Sequence, residues 1–177
     1  MPQNLCLVPY DSAWPARFAA EAARIRGALG ELARAVEHVG STAVPGLAGK
    51  PVLDVAIAVA DADAAGRCVA PLQRLGYEHR GAHGDDSRRR YYVRDVDGQR
   101  AVQIHLYVRP APAWDDKLAF RDALRANPEL AAAYAAEKWR VAKLVAWDKA
   151  SYAITKGAFV EAVLDRLRRE GKLVEEG

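Results

Sequence analysis

The chain is poor in sulfur, close to charge balance and without a long apolar run, and each shortage closes off a class of function. Its two cysteines, Cys6 and Cys68, lie far apart with no metal-ligand spacing, so a disulfide framework or cysteine-based zinc site is not expected and both should be reduced thiols. Lysine and arginine number 26 against 23 acids, a formal charge of +3, with the signs interspersed. A dedicated nucleic-acid binder carries a basic stripe instead, so any anion bound here is expected to be small. No window approaches the roughly 18 apolar residues of a membrane span. Met1-Pro2-Gln3-Asn4 shows no basic-then-apolar leader pattern, and the cytoplasm is the expected location. With no internal repeat, low-complexity tract or long linker in 177 residues, of which 51% are apolar, a single domain over 1–177 with a substantial core is expected.

The hydrophobic pattern predicts sheet first and helices after. Asp11-Ser12 before Trp14-Pro15 reads as a helix start, and Phe18, Ala22, Ile25 and Leu29 recur at helical spacing up to Gly30. Ala35 to Val39 reads as a short strand ending in a Gly40-Ser41 turn, and Val52 to Val59 as a strand covered on both faces. Asp61-Ala62-Asp63 opens a helix running to Leu75-Gly76, with Pro71 as a kink or break. Tyr77 to Arg80 suggests a short strand, and Gly81 to Ser87 an exposed polar loop. Arg89 to Asp95 and Arg100 to Val108 form hairpin arms around Asp97-Gly98, with Val102, Ile104, Leu106 and Val108 on one face and Gln103, His105 and Tyr107 on the other. After Trp114 the chain reads as three helices, parted at Asn127-Pro128 and capped again at Asp148 or Ser151. This gives a sheet portion of about 1–110 and a helical portion of about 114–172.

Chemistry concentrates at Gly40-Ser41-Thr42 and at Asp54, thirteen residues beyond Ser41. A glycine lets backbone approach a ligand closely, and a serine at a turn offers a hydroxyl or a helix cap. An acid inside the apolar run Val52 to Val59 needs a cation, a hydrogen bond or a strand end to be tolerated. Around these lie candidate phosphate contacts: Lys50 beside the turn, Arg90 within Arg88-Arg89-Arg90, and Arg121, Lys138 and Lys156 on the later helices. Each has an ordinary alternative. Ser41 equally fits a plain cap, Asp54 a structural ion pair, Lys50 a solvated loop, the arginine run a charged strand edge, and Arg121-Asp122 a helix-surface pair. His38 fits a core hydrogen bond, and His105 either lines a cleft or stands on an open sheet face.

A Gly-Ser turn, an acid on the following strand and a late hairpin resemble the minimal nucleotidyltransferase fold, and the chain is more closely similar to the GrpB family. The resemblance runs through Val8-Pro9-Tyr10-Asp11-Ser12-Ala13-Trp14-Pro15, then His38 to Pro51, Asp54, Leu75-Gly76-Tyr77, Ile104-His105-Leu106, Leu118 to Asp122, Leu124-Arg125, Pro128, Tyr134, Tyr152, Lys156 and Phe159. It implies an α/β (α+β) fold, a nucleotidyltransferase-like mixed sheet flanked by helices with a helical C-terminal portion, in a family also found fused to dephospho-coenzyme A kinases. In that superfamily the turn cradles nucleotide phosphates, paired acids on the next strand hold magnesium and a third acid completes the site. Here the second acid position, two residues beyond Asp54, is Ala56, and His105 is a plausible occupant of the third.

The resemblance therefore implies a nucleoside triphosphate or other small phosphate-bearing ligand, with Mg2+ or Mn2+ at Asp54. If the protein is an enzyme, it moves a nucleotidyl group to a small acceptor, with Asp54 and His105 catalytic and Gly40, Ser41, Thr42, Lys50, Arg90, Arg121, Lys138 and Lys156 on the nucleotide. An alanine and an imidazole in place of acids weaken magnesium binding and favour transition metals. A catalytically degenerate module sensing a nucleotide or coenzyme A-like phosphate is the alternative that Ala56 favours, and an interaction domain with a vestigial cleft is another.

Overall fold

Alternation of apolar side chains along five strands determines what the sheet can cover. The computed structural model describes residues 6–83 and 86–173. Strands β1 (Ala35–Val39), β2 (Leu53–Val59), β3 (Glu78–His83), β4 (Asp86–Val96) and β5 (Gln99–Val108) form one sheet in the order β1-β2-β5-β4-β3. The central β2–β5 pair is parallel and all other pairs are antiparallel, so the sheet is mixed. The β4–β5 turn places Asp97 and Gly98 at positive φ, 51° and 74°, as a two-residue hairpin requires.

One face carries Val36, Val55, Ile57, Tyr92, Ile104 and Leu106 into the main core. It is covered by α1 (Trp14–Leu29), whose inner stripe is Trp14, Ala22, Ile25 and Leu29, and by the short helices α2 (Ala62–Arg67) and α3 (Val69–Arg74). A single helix from Asp61 is not what forms. The break falls at Cys68, and Pro71 sits in the first turn of α3, where its missing N–H costs nothing. The loop expected from Gly81 to Ser87 is also shorter, because β3 reaches His83 and β4 starts at Asp86; residues 84 and 85 lie outside the described residues.

The other face is covered only in part. Helix α4 (Pro112–Ala126) lays Trp114 edge-on against Tyr107, ring centroids 5.9 Å apart, over Ala56 and Ala58. Helices α5 (Pro128–Leu144) and α6 (Lys149–Arg169) pack on α4 through their own apolar clusters, which take in Val44 and Leu47 from the loop before β2. Asn127 and Asp148 cap them, accepting from Leu130 N at 3.0 Å and Ser151 N at 2.8 Å. Cover over this face therefore ends between Ala56 and Asp54, and the start of β2 opens into a cleft. No helix among the described residues is long and apolar enough to cross a membrane.

Glu21 is the one buried acid on α1. It accepts the Tyr77 hydroxyl at 2.5 Å and the Arg94 guanidinium at 2.6 Å, joining α1 to the β3–β4 end of the sheet. Burial, then Glu21 itself, pushes Tyr77 far above the ordinary tyrosine pKa, so the hydroxyl stays a donor. Glu21→Ala leaves that hydroxyl and the guanidinium without their acceptor and should cost about 2–3 kcal/mol in urea unfolding, whereas Tyr77→Phe should cost only about 1 kcal/mol.

Candidate functional site

The cleft has a volume of about 540 Å³. Its sheet side is made by the Gly40-Ser41 turn, Asp54, His105, Gln103 and Arg89, and its helix side by Lys117, Lys138 and Lys156 with Phe120, Tyr134 and Tyr152. Its position follows from the strands: β1 ends at Val39, across from Asp54 near the start of β2, so the turn leaving β1 must pass over the carboxylate.

Gly40 makes that passage possible. Its φ is 75°, and a Cβ there would lie 2.4 Å from Asp54 Oδ2 and 3.0 Å from Asp54 Cβ. Ser41 then begins a three-residue 3-10 turn, Ser41–Ala43, packed on Gly49 so closely that a Cβ at Gly49 would meet Ser41 Cβ at 2.6 Å. The Ser41 hydroxyl accepts from Lys138 Nζ at 3.0 Å, and the same ammonium donates to the Ala48 carbonyl. Thr42 is turned inward, its hydroxyl 2.9 Å from His38 Nε2. His38 stacks on Phe18, centroids 4.4 Å apart, on the α1 face.

Charge in the cleft is predominantly positive. Burial would raise the Asp54 pKa, but the neighbouring His105 ring, Lys117 and Lys156 hold the carboxyl below its usual range. Burial and Lys117 pull His105 down to about 4, against the opposing pull of Asp54, so the ring is neutral. Burial also lowers Lys117 to about 8, again against Asp54. Lys138 is 1% exposed and drawn down to about 7 by burial and then by Lys156. Among the described residues no carboxylate forms an ion pair with Lys138. Lys50 and Lys156 both lie over the Tyr152 ring, 5.3 and 5.7 Å from its centroid.

Nine of the ten residues singled out from sequence line this cleft: Gly40, Ser41, Thr42, Lys50, Asp54, His105, Arg121, Lys138 and Lys156. Two of them are committed elsewhere. Arg121 grips Asp122 at 2.7 and 3.2 Å, Glu37 at 2.7 Å and the His38 carbonyl at 3.0 Å, which pins α4 to β1. Thr42 spends its hydroxyl on His38. Arg90 is outside the cleft. Carried in uniform register from the turn, where Val96 opposes Gln99, the hairpin would set Arg90 across from His105. A bulge at Ala101 of β5, between the Asp95–Arg100 and Arg94–Val102 pairs, shifts the pairing by one, so Tyr91 opposes His105 and Arg90 opposes Leu106 on the core face. Arg89 takes the cleft side in its place. Lys117 was also missed from sequence; its position three residues beyond Trp114 on an amphipathic helix was the available signal.

The donor set does not fit a two-metal site. Asp54 is the one strand carboxylate here, Ala56 is fully buried in the cluster under Trp114, and no group of three or more metal-binding side chains occurs among the described residues. Magnesium takes oxygen ligands in octahedral geometry; the other carboxylates lining the cleft, Asp116 on α4 and Glu161 on α6, do not join Asp54 in such a group, and Asp116 is paired with Arg168.

The GrpB protein family model matches residues 4–166. A UPF0157 protein of Pseudomonas aeruginosa is 38% identical, over 90% of this chain and 66% of its own length; this chain thus spans just under two thirds of that relative. A dephospho-CoA kinase of Mycolicibacterium paratuberculosis is 35% identical, over 75% of this chain and 38% of its own. The crystal structure of GrpB from Enterococcus faecalis superposes with a TM-score of 0.80 at 30% identity, covering 91% of this chain and 98% of that one. A structure of the Cid1 poly(U) polymerase with MgGTP bound matches at TM-score 0.55 and 16% identity, over 76% of this chain and 44% of that one, a likeness of fold alone. The mixed α/β fold is thus nucleotidyltransferase-like.

Two substitutions test the site's construction. Gly40→Ala adds a Cβ at positive φ against the Asp54 side chain, whereas Gly46→Ala, at φ 77°, meets nothing within 4 Å. Chemical denaturation should show Gly46→Ala losing about 1 kcal/mol and Gly40→Ala about 2–4 kcal/mol. Lys138 gives a pH test. Between about 7 and its ordinary value of 10.5 the unfolded chain holds a proton that the folded chain has released, so stability should rise with pH across that window. Lys138→Met should remove this rise, so its stability relative to the parent is highest at or below pH 7 and declines toward pH 10.

Proposed function

The chain belongs to the GrpB family, and from that premise we propose that the cleft between sheet and C-terminal helices binds a nucleotide or another small phosphate-bearing ligand, as a sensing or regulatory module of nucleotidyltransferase fold. One observation carries this reading: the Lys138 ammonium is buried against Ser41 with no acid paired to it among the described residues, a charge whose desolvation an incoming anion would offset. Lys50, Lys117 and Lys156 stand around the same space, with Asp54 as the carboxylate on the opposite wall. Aromatic side chains of α4–α6 offer an apolar wall for a base or a pantetheine-like arm, and the cleft volume falls within the range of small-molecule sites.

The ligand-sensing reading is preferred over nucleotidyl transfer because of Ala56. Transfer by the route implied by the fold needs a second acid on the Asp54 face, and the buried alanine there lies under α4. Should transfer occur, Asp54 is the candidate to orient the attacking hydroxyl, with Lys50 and Lys138 offsetting charge on the departing pyrophosphate.

A thermal-shift series with ATP, GTP, CTP, UTP and coenzyme A tests the proposal. Ligand at a hundredfold over Kd should stabilise the fold by about 2.7 kcal/mol, a rise of roughly 5–10 °C in Tm for a domain of this size. The rise should be lost in Lys138→Met and reduced in Lys156→Ala, each compared with its own unliganded Tm. It should also shrink from pH 7 to pH 9, as Lys138 and Lys117, at about 7 and 8, lose their protons. No shift with any of the five would overturn the reading in favour of an interaction domain.

A further inference from the structure

Resting on that assignment of the cleft, we infer that Arg89 is a positioning residue: it fixes the proton of His105 on Nε2, so that the wall beside Asp54 is a hydrogen-bond donor, and the cleft takes its phosphate-bearing ligand without a divalent cation held by the protein.

A guanidinium has five N–H donors and no acceptor. Arg89 Nη2 lies 3.1 Å from His105 Nδ1, so Nδ1 presents a lone pair; a proton there would set two donors against each other at hydrogen-bond distance. The neutral ring then carries its hydrogen on Nε2, and Nε2 is the atom turned toward Asp54, 3.8 Å from Oδ1. A histidine ligates a metal through a nitrogen lone pair, and this one has its lone pair facing a guanidinium. The third ligand position of a metal site therefore offers an N–H. That hydrogen suits a phosphate oxygen or the Asp54 carboxylate itself.

Arg89 is placed for this task by its surroundings. The register shift at Ala101 of β5 pairs it with Tyr107 on the cleft face, and its guanidinium carbon lies 5.2 Å from the centroid of the Tyr107 ring, a cation–π contact that restricts the side chain. The charged groups facing Asp54 and His105 from the other elements are Lys117 on α4 and Lys156 on α6. Both are cations, so a free divalent ion meets repulsion where a phosphate meets attraction.

The test needs no substrate at its first step. Long-range 1H–15N spectra of histidine-labelled protein should show His105 protonated on Nε2 alone, mixed tautomers in Arg89→Leu, and recovery of the Nε2 form in Arg89→Lys, which restores a donor. Titration with MnCl2 alone should leave the His105 signals of the parent unbroadened. ATP affinity by calorimetry should agree within about threefold between EDTA and MgCl2, since a 1.4 kcal/mol metal contribution would be tenfold. An Nδ1-protonated ring in the parent, saturable manganese broadening at His105, or a loss of ATP affinity beyond tenfold in EDTA would each overturn the inference. If ATP fails to bind under any condition, the assignment of the cleft falls, while tautomer and manganese results still decide the role of Arg89.

Discussion

Everything in the cleft depends on a single buried ammonium. Lys138 leaves α5 and ends between the Ser41 hydroxyl and the Ala48 carbonyl, so it fastens the helical portion to the turn that follows β1. An ammonium buried at 1% exposure is costly, and two neutral oxygens offset that cost only in part. The depressed pKa of about 7 is the same imbalance expressed as proton affinity. On the proposed reading, an anion entering the cleft would complete the partners of this group, and its binding would stabilise the helices over the sheet. Arg121 and Arg125 act on the same joint without that imbalance, because their partners are complete: Arg121 has Glu37, Asp122 and the His38 carbonyl, and Arg125 donates to the Ala43 carbonyl at 2.8 Å.

Much of this architecture is legible in the residues. β1 begins and ends where its apolar pattern does, the Asp97-Gly98 turn adopts the positive φ values that those residues tolerate, and the two long C-terminal helices start at Asn127 and Asp148 because those side chains accept the orphan amides. The conjunction of Gly40 with Asp54 was legible as well, since an acid in an apolar strand calls for something to approach it. Arg90 is where the sequence pattern and the structure part. Strand alternation predicts which residues of two strands share a face only while register holds, and the extra residue Ala101 of β5, between the Asp95–Arg100 and Arg94–Val102 pairs, moves every later β5 residue one place along β4. The bulge has no composition mark, because its extra residue is an alanine and not a glycine. Cys68 is similar: two short helices meet there although the sequence points to Pro71 for the break, since proline in a first turn breaks nothing.

The missing metal ligands and the placement of α4 are one packing fact. Ala56, Ala58 and Tyr107 form the floor on which Trp114 rests, and only small side chains at 56 and 58 let the helix come that close. An aspartate at 56 would place a carboxylate in this apolar cluster, where an unpaired charge costs several kcal/mol, or would lift α4 away and with it Lys117 and Arg121. A chain that closes its sheet with α4 thus gives up the second carboxylate of a metal pair. What it gains is a helix whose Lys117 lowers the Asp54 carboxyl pKa, while His105, contacted in turn by Arg89, meets the same group from the side. Cations and, on the proposed reading, a ring N–H then stand where carboxylates and magnesium stand in a two-metal arrangement, a different set of charges through which the proposed phosphate-bearing ligand would be held.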